Sequence, residues 1–197
     1  MARKLVLATR NEKKKREILE IVEGAGVEIV TLHDFPNAPD VVEDALTFKE
    51  NAVKKATAIA EYTGCVAFAD DSGLEVDALG GMPGVFSARF AGEPSDDERN
   101  NKKLLEMLKE VPTEKRRARF RCVIAIAFPD GRIETADGVC EGRIGFEPQG
   151  RGGFGYDPLF IPENFDKTFG QLPAETKNAI SHRGQALHRA SQILQSI

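Results

Sequence analysis

The sequence predicts an α/β fold with a mixed central sheet flanked by helices, and three observations support this prediction. Residues 4–30 follow a strand–loop–helix–strand pattern. Two later strands, 117–128 and 132–144, are joined at Pro129-Asp130-Gly131, which is a hairpin signal. Residues 47–62 carry an apolar face at helical spacing. Parallel and antiparallel connections in one chain favour a mixed sheet.

The individual elements follow from apolar runs bounded by caps and turn residues. Gly24 and Gly26 are expected to end the first helix, Ser95 to Glu98 form a capping box, and Ser181 caps the last helix. Strands are predicted at 4–8, 27–30, 65–69, 117–128, 132–144 and 159–161, and helices at about 12–23, 47–62, 95–109 and 182–197.

Composition limits the classes of protein to consider. The chain has 197 residues, of which 41% are hydrophobic and 29% charged, enough for one globular domain with a core. The net charge of −4 argues against a nonspecific nucleic-acid coat. Three scattered cysteines without a CxxC pair favour reduced thiols, and no apolar run reaches membrane-spanning length. We therefore expect a cytoplasmic protein that binds neither nucleic acid nor membrane.

The dipeptide Asp70-Asp71 is the most informative local feature. It follows the apolar run 65–69 and precedes Ser72-Gly73, so we expect it at the end of a buried strand, at the rim of the sheet. Adjacent like charges need compensation, and Mg²⁺ with its preference for oxygen ligands is a natural candidate. The alternative is an ordinary surface turn, because Asp, Ser and Gly all favour turns.

Two further clusters point to phosphate and metal chemistry. Thr9, Asn11, Lys14 and Glu17 surround a strand–helix junction, where unpaired backbone amides and the helix dipole attract anions. The alternative is a capped helix with solvated lysines. Glu43, just before the helix that leads to the Asp pair, is a second candidate for the metal. The alternative is that Glu43 and Asp44 only complement a helix dipole.

The remaining clusters suit recognition of a flat base. Residues 152–158 read GGFGYDP, where the glycines permit close approach and Phe154 or Tyr156 offers a stacking surface. The alternative is a loop whose aromatic residue packs inward. The last cluster is Lys177, Ser181, His182 and Arg183. His182 and Arg183 are expected at a helix start, where cations are unfavourable unless they face an anion or a base edge; a surface feature is the alternative. Together the four clusters predict a nucleoside triphosphate site.

These residues resemble a known family, the inosine triphosphate pyrophosphatases (dITP/XTP pyrophosphatases, Ham1-like). The matching segments are ATRNEKKKREI, TFKENAVKKA, FADDSGLEVDALGGMPGVFSARFAG, GGFGYDPLF and KNAISHRGQAL, in order over nearly the whole chain. The resemblance implies Mg²⁺-dependent cleavage of deaminated purine nucleoside triphosphates between the α and β phosphates. It also implies a homodimer, and an elongated single domain over 1–197 with two lobes around an active-site cleft.

The resemblance also implies roles for individual residues. Asp71 corresponds to the catalytic carboxylate, with Asp70 in support, and Glu43 and Asp71 correspond to the metal ligands. Arg10 stands where many relatives have glycine, so it either restricts the backbone or adds a phosphate contact. The expected substrate-binding set is Thr9, Arg10, Asn11, Glu12, Lys13, Lys14, Lys54, Ser72, Phe154, Gly155, Tyr156, Asp157, Lys177, His182 and Arg183.

The expected mechanism is metal-assisted hydrolysis, in which Asp70 or Asp71 positions the water that attacks the α-phosphorus. The sequence disfavours two other functions. A pyrimidine triphosphate pyrophosphatase of the Maf-like fold is disfavoured by the ATRN segment, because that family has a serine- and arginine-rich loop there. A nucleotide- or RNA-binding regulator without catalysis is disfavoured by the Asp pair together with Lys14, and by the acidic charge balance.

Overall fold

The computed structural model describes residues 4–22 and 28–195. The predicted first-helix end at Gly24 and Gly26, the start of the second strand at Val27 and the last two residues lie outside this range. The strands are β1 Lys4–Leu7, β2 Glu28–Thr31, β3 Val66–Val76, β4 Arg117–Ala127, β5 Ile133–Ile144 and β6 Phe160–Pro162. The helices are α1 Glu12–Val22, α2 Phe48–Thr63, α3 Asp97–Met107, α4 Ala174–Ile180 and α5 His182–Gln195.

The strands form one sheet in the order β2-β1-β3-β4-β5-β6. Strand β1 pairs in parallel with β2 and β3, whereas β5 pairs with β6 in antiparallel fashion, so the sheet is mixed as predicted. The predicted hairpin between β4 and β5 closes through hydrogen bonds from Gly131 N to Phe128 O (3.0 Å) and from Phe128 N to Arg132 O (2.9 Å). The α/β fold class is therefore confirmed.

Strand β3 is longer than the sequence suggested, and this corrects the placement of the Asp pair. The prediction ended the strand at residue 69, but Asp70 and Asp71 lie in its middle, neither at a sheet rim nor in a turn. The turn-forming Ser72-Gly73 is extended because the residues after it, Leu74 and Val76, are fully buried in a core. Burial in tertiary structure outweighs the local turn preference.

The chain divides into two compact units, each with its own apolar core. The first unit comprises residues up to 71, 122–138 and 183 onward, and the second comprises 72–121 and 139–182. The first core is built from β1, β3, β4 and the two terminal helices, with Leu7, Ile18, Phe68, Ile124 and Leu187 among its members. The second core includes Leu74, Leu104, Phe120, Phe160 and Phe169. Cys65, Cys122 and Cys140 form no disulfide among the described residues.

Two helices meet near the C-terminus where the sequence suggested only one. Helix α4 ends at Ile180, Ser181 is extended (φ −69°, ψ 156°), and α5 begins directly at His182. The predicted position of His182 and Arg183 at a helix start is thus confirmed, while Lys177 lies on the unpredicted α4. Across the described residues, no helix is both long and apolar enough to cross a membrane.

Candidate active-site residues

Strand β3 directs its two carboxylates to opposite sides of the sheet, because successive side chains of a strand alternate. Asp70 contacts Lys14 of α1 and Arg183 of α5, whereas Asp71 contacts Asn51 of α2. Both side chains are buried, with 1% and 4% of their surface exposed. The two aspartates are therefore adjacent in sequence but occupy different surroundings.

Asp70 is surrounded by positive charge. The Lys14 Nζ lies 3.2 Å from its Oδ2, an Arg183 nitrogen lies 3.5 Å from the same atom, and Lys55 Nζ donates to its backbone carbonyl at 2.6 Å. Burial alone would raise the pKa of Asp70, but the charges of Lys14, Arg183 and Lys55 outweigh it and hold the pKa well below the ordinary range. Asp70 is therefore a fixed anion that holds cations in place.

The same arrangement stabilises the protonated forms of Lys14 and Arg183. Burial would lower the pKa of Lys14 and of Arg183, but the negative charge of Asp70 raises both, so both stay protonated. Arg183 also donates to Glu17 of α1. Arg183, which the resemblance assigns to base recognition, and Lys14 contact the same oxygen of Asp70.

Asp71 has a different environment. The Asn51 Nδ2 donates to its Oδ2 at 3.0 Å, and burial raises its pKa, a shift that Lys14 and Lys55 oppose and Glu43 reinforces. Asn51 is a polar residue of α2, yet it is buried at 1% exposure. It is buried because its amide satisfies Asp71, a partner 20 residues away that helical periodicity does not reveal.

Glu43 lies close enough to Asp71 for its charge to act on that carboxyl, and it accepts a 2.5 Å hydrogen bond from Lys55 Nζ. Two neighbouring carboxylates, one buried and one half-buried, are a donor set that fits a hard divalent cation. Residues 4–22 and 28–195 contain no group of three or more His, Cys, Asp or Glu side chains suited to a metal. Mg²⁺ commonly takes one or two carboxylates and completes its shell with water and phosphate oxygens. The two carboxylates of Asp71 and Glu43 are therefore enough protein ligands for such an ion.

The junction before α1 is capped, and this corrects one expectation. Thr9 Oγ1 accepts from Asn11 N at 3.2 Å, and Asn11 Oδ1 accepts from the amides of Lys13 and Lys14 at 3.0 and 3.1 Å. These three amides were expected to be open to an anion, but side chains already satisfy them, because Asn is a strong N-cap residue. What this segment directs toward Asp70 is the Lys14 side chain.

The other charged residues near this junction have their own contacts. Glu12 pairs with His33 (3.1 Å) and Lys15 (3.4 Å) on the surface, and Lys13 is exposed. The Arg10 guanidinium contacts Asp40 and the carbonyl of Ala38, both at 3.0 Å, in the loop that leads to Glu43. Its side chain therefore binds protein atoms of the acidic loop.

Two neighbouring lysines of α2 have different positions. Lys54 is exposed and pairs with Asp44 at 2.6 Å, whereas Lys55 is largely buried and reaches Glu43 and Asp70. The sequence interpretation selected Lys54 and missed Lys55. The available signal was spacing: Lys55 follows Asn51 by four residues, which places both on one helix face.

In the second unit, the glycine-rich loop is held by Asp157. Its Oδ2 accepts from Phe154 N and from Lys177 Nζ, both at 2.7 Å, and the pair with Lys177 is buried. Gly153 has φ +70°, and a Cβ there would lie 1.9 Å from that same oxygen, so only glycine fits. The loop conformation and the buried ion pair therefore depend on each other.

The aromatic residues of this unit divide into buried and accessible ones. Tyr156 is buried, and its hydroxyl donates to Ser87 O at 2.9 Å; burial keeps its pKa high, so the phenol is neutral. Phe154 is half-buried, with Lys177 Nζ 5.3 Å from its ring centroid. The His182 ring stacks on Phe120 with centroids 4.7 Å apart. Ser72, at the start of this unit, is half-buried.

The α/β fold, a buried cation–carboxylate cluster and a glycine-rich aromatic loop define a candidate nucleotide-binding protein. Comparison with known sequences is more specific: a sequence model described as the Ham1 family matches residues 5–193. The chain belongs to the Ham1 family, as the resemblance predicted.

Individual relatives agree with this assignment. A dITP/XTP pyrophosphatase of Desulforamulus reducens is 59% identical over 191 residues, which cover 97% of this chain and 95% of that protein. A second, from Geobacter sulfurreducens, is 54% identical and covers 93% and 92%. Among solved structures, a HAM1 protein from Coxiella burnetii superposes with a TM-score of 0.90 at 41% identity, covering 99% of this chain and all of that one.

Proposed function

We propose that this protein is a nucleoside triphosphate pyrophosphatase, which hydrolyses deaminated purine nucleoside triphosphates such as ITP, dITP and XTP to the monophosphate and pyrophosphate. The observation that carries the proposal is the Asp71 environment: a buried carboxylate bonded by Asn51, on which the charges of Glu43, Lys14 and Lys55 act, with Lys55 binding both Glu43 and the backbone of β3. The family membership and the names of the relatives support the same activity.

The division of labour between the aspartates follows from their neighbours. Asp70 is engaged by two cations, so it is a poor proton acceptor and serves to hold Lys14 and Arg183. Asp71 accepts from a neutral amide instead, and we assign it the positioning and deprotonation of the attacking water. Lys14 and Lys55 then offset the negative charge that develops on the phosphate oxygens.

The same proposal includes Mg²⁺ as the cofactor. Asp71 and Glu43 would hold the ion, and bound there it would supply charge neutralisation at the phosphate oxygens. Lys55 already bridges Glu43 and the backbone of β3, which keeps Glu43 beside the strand.

Base recognition is assigned to the second unit. We propose that Phe154 stacks on the purine, while Lys177, Asp157 and His182 form the polar surroundings that read its edge. A site built from hydrogen-bond donors accepts a 6-oxo group and rejects the 6-amino group of adenine, because a mismatch leaves polar groups unpaired. Rejection of guanine must then involve its 2-amino group.

We also propose that the protein acts in the cytoplasm on free nucleotides and forms a homodimer. Exposed apolar side chains in the second unit, Met82 and Phe86, are compatible with an interface. Light scattering coupled to size-exclusion chromatography should give twice the mass of 21.6 kDa, and a monomer at micromolar concentration would contradict the dimer.

The deciding experiment measures products from ITP, XTP, ATP, GTP, dUTP and dTTP with Mg²⁺. We expect monophosphate and pyrophosphate, with ITP and XTP turned over fastest. Comparable rates on ATP and ITP would overturn the proposed selectivity, and faster turnover of dUTP or dTTP would favour the pyrimidine-directed alternative. Binding without turnover of any nucleotide would favour a regulatory binding protein.

A further inference from the structure

Helix α3 holds both sides of one peptide in the glycine-rich loop. Gly155 N donates to Asp97 Oδ2 at 3.0 Å, and Asn101 Nδ2 donates to Gly155 O at 2.9 Å. Asp97 and Asn101 are four residues apart on α3, so they lie on the same helix face. The helix thus binds both the backbone N–H and the backbone carbonyl of Gly155.

Gly155 is a position that needs such restraint. It has φ +60°, a backbone conformation that residues with a side chain rarely adopt, and a Cβ built there would meet no atom within 4 Å. Glycine loses more conformational freedom on ordering than any other residue. Because Gly155 lies between Phe154 and Tyr156, its dihedral angles set the direction of the Phe154 ring relative to the buried Tyr156.

The helix that supplies these contacts is itself well anchored. Asn100 accepts from Ala91 N at 2.7 Å and donates to Ala88 O at 3.0 Å, and it is almost completely buried. Leu104 and Leu108 are fully buried in the core of the second unit. Because α3 is rigidly held, its hydrogen bonds to Gly155 fix the position of the loop relative to the helix.

The burial of Asn101 indicates that its role is not stability alone. Its Oδ1 is buried and receives no hydrogen bond from any described residue, so its contact to Gly155 is made through Nδ2. Burying an unsatisfied amide oxygen costs stability, on the order of 1–3 kcal/mol. An apolar side chain would avoid that cost but would lose the bond to Gly155.

We infer that Asp97 and Asn101 are positioning residues for nucleobase selectivity, acting through the Gly155 peptide to fix Phe154 and the loop around Asp157. This inference rests on the proposed function, since it assigns the base-reading role to the same loop. Asp97 and Asn101 would then influence the choice of nucleobase without touching the nucleotide.

The kinetic test compares Asp97→Ala and Asn101→Leu with the wild type on ITP and GTP. Both variants should lower the ratio of kcat/KM for ITP over GTP by about tenfold, mainly through KM, with kcat for ITP within about threefold. Asp97→Asn, which keeps an acceptor oxygen, should restore most of the ratio. Glu98→Ala and Lys102→Leu, exposed on the same helix, are matched controls that should leave it unchanged.

Equal losses on both nucleotides, parallel to a lower Tm, would mean a purely structural role and would overturn the inference. If the wild type prefers ITP and both variants keep the same ratio of kcat/KM for ITP over GTP, the inference is overturned. The proposed function would then remain intact. A wild-type protein that releases no pyrophosphate from ITP would refute the proposed function itself.

Hydrogen exchange of the nucleotide-free protein gives an independent readout. The Gly155 amide should exchange about tenfold faster in Asp97→Ala than in the wild type, with Glu98→Ala unchanged, because the variant removes its acceptor. Unaltered exchange at Gly155 would show that Asp97 does not restrain the loop, and would overturn the inference whatever the kinetics.

Discussion

Each compact unit of the chain buries an aspartate against a lysine, and the two pairs differ in what surrounds them. Asp70 pairs with Lys14 and has a second cation, Arg183, on the same oxygen. Asp157 pairs with Lys177 and uses that oxygen to accept a backbone amide as well. The first aspartate therefore organises charge, and the second organises the conformation of a loop. The same two residue types perform different tasks because their third partner differs.

The largest expected effect tests whether Asp71 is the catalytic base. Asp71→Asn should lower kcat for pyrophosphate release from ITP by about 10²–10⁴-fold, because the amide cannot accept the proton of water. Thermal stability should change little, since Asn51 can still donate to the new amide oxygen. Asp166→Asn, an exposed change in the second unit, is the control. Retained turnover in Asp71→Asn would exclude Asp71 as the base.

Asp70→Asn should mainly reduce stability. Removing the charge leaves Lys14 and Arg183 buried without their shared anion, which costs about 3–5 kcal/mol of unfolding free energy. Urea unfolding at pH 7 measures the loss. The exposed pair of Asp77 with Arg119, 2.7 Å apart in the second unit, is the contrast: Asp77→Asn should cost less than about 1 kcal/mol. Equal losses at the two sites would refute the claim that Asp70 organises charge.

The pH dependence of stability provides a check with a defined sign. The folded-state pKa of Asp70 is depressed, so its stabilisation is present above the unfolded pKa of about 3.9 and is lost as the pH falls below it. The wild type should therefore lose stability more steeply below about pH 4 than Asp70→Asn does. Parallel curves for the two proteins would contradict the assigned pKa direction.

A smaller effect is expected at the second pair. Lys177→Met removes the cation beside Asp157, but that carboxyl keeps its hydrogen bond from Phe154 N and can take up a proton. We expect KM for ITP to rise about tenfold, about 1.4 kcal/mol, with kcat within about threefold. Lys167→Met, an exposed change, is the control. A loss confined to kcat would instead place Lys177 in the chemical step.

Two adjacent lysines of α2 provide a further comparison. Lys55→Met should reduce kcat/KM for ITP by about 10–100-fold, because it removes a buried charge next to Glu43 and Asp70. Lys54→Met should leave kcat/KM within about twofold, since its contact to Asp44 is an exposed ion pair. The reverse result would restore the sequence-based choice of Lys54.

The extent of what the sequence predicts can be judged from particular residues. The element types and the mixed sheet were predictable, because apolar periodicity and a cap such as Asn11 are local signals. The continuation of β3 through Ser72-Gly73 was not, because it depends on the burial of Leu74 and Val76 in a core formed by distant segments. Local propensity gives no information about that burial.

The same limit applies to the polar cluster. Asp71, Lys14 and Arg183 could be chosen from the sequence as candidate site residues, but their partners could not. Arg183 meets Asp70 across 113 residues, and Asn51 meets Asp71 across 20. Contacts between residues so far apart are set by the packing of helices on the sheet, so the partners of Lys55 and Asn51 became recognisable only in three dimensions.

The alternation of β3 has a consequence for tolerance to insertions and deletions. Asp70 and Asp71 are chemically identical side chains, and only their parity along the strand decides which one meets Lys14 and which one meets Asn51. Loss of one residue between the β1-paired segment and Asp70 would bring Asp71 to the position of Asp70, and Ser72 to the position of Asp71, without removing either carboxylate. A sequence comparison that scores only the presence of two acids would miss such an inactive protein.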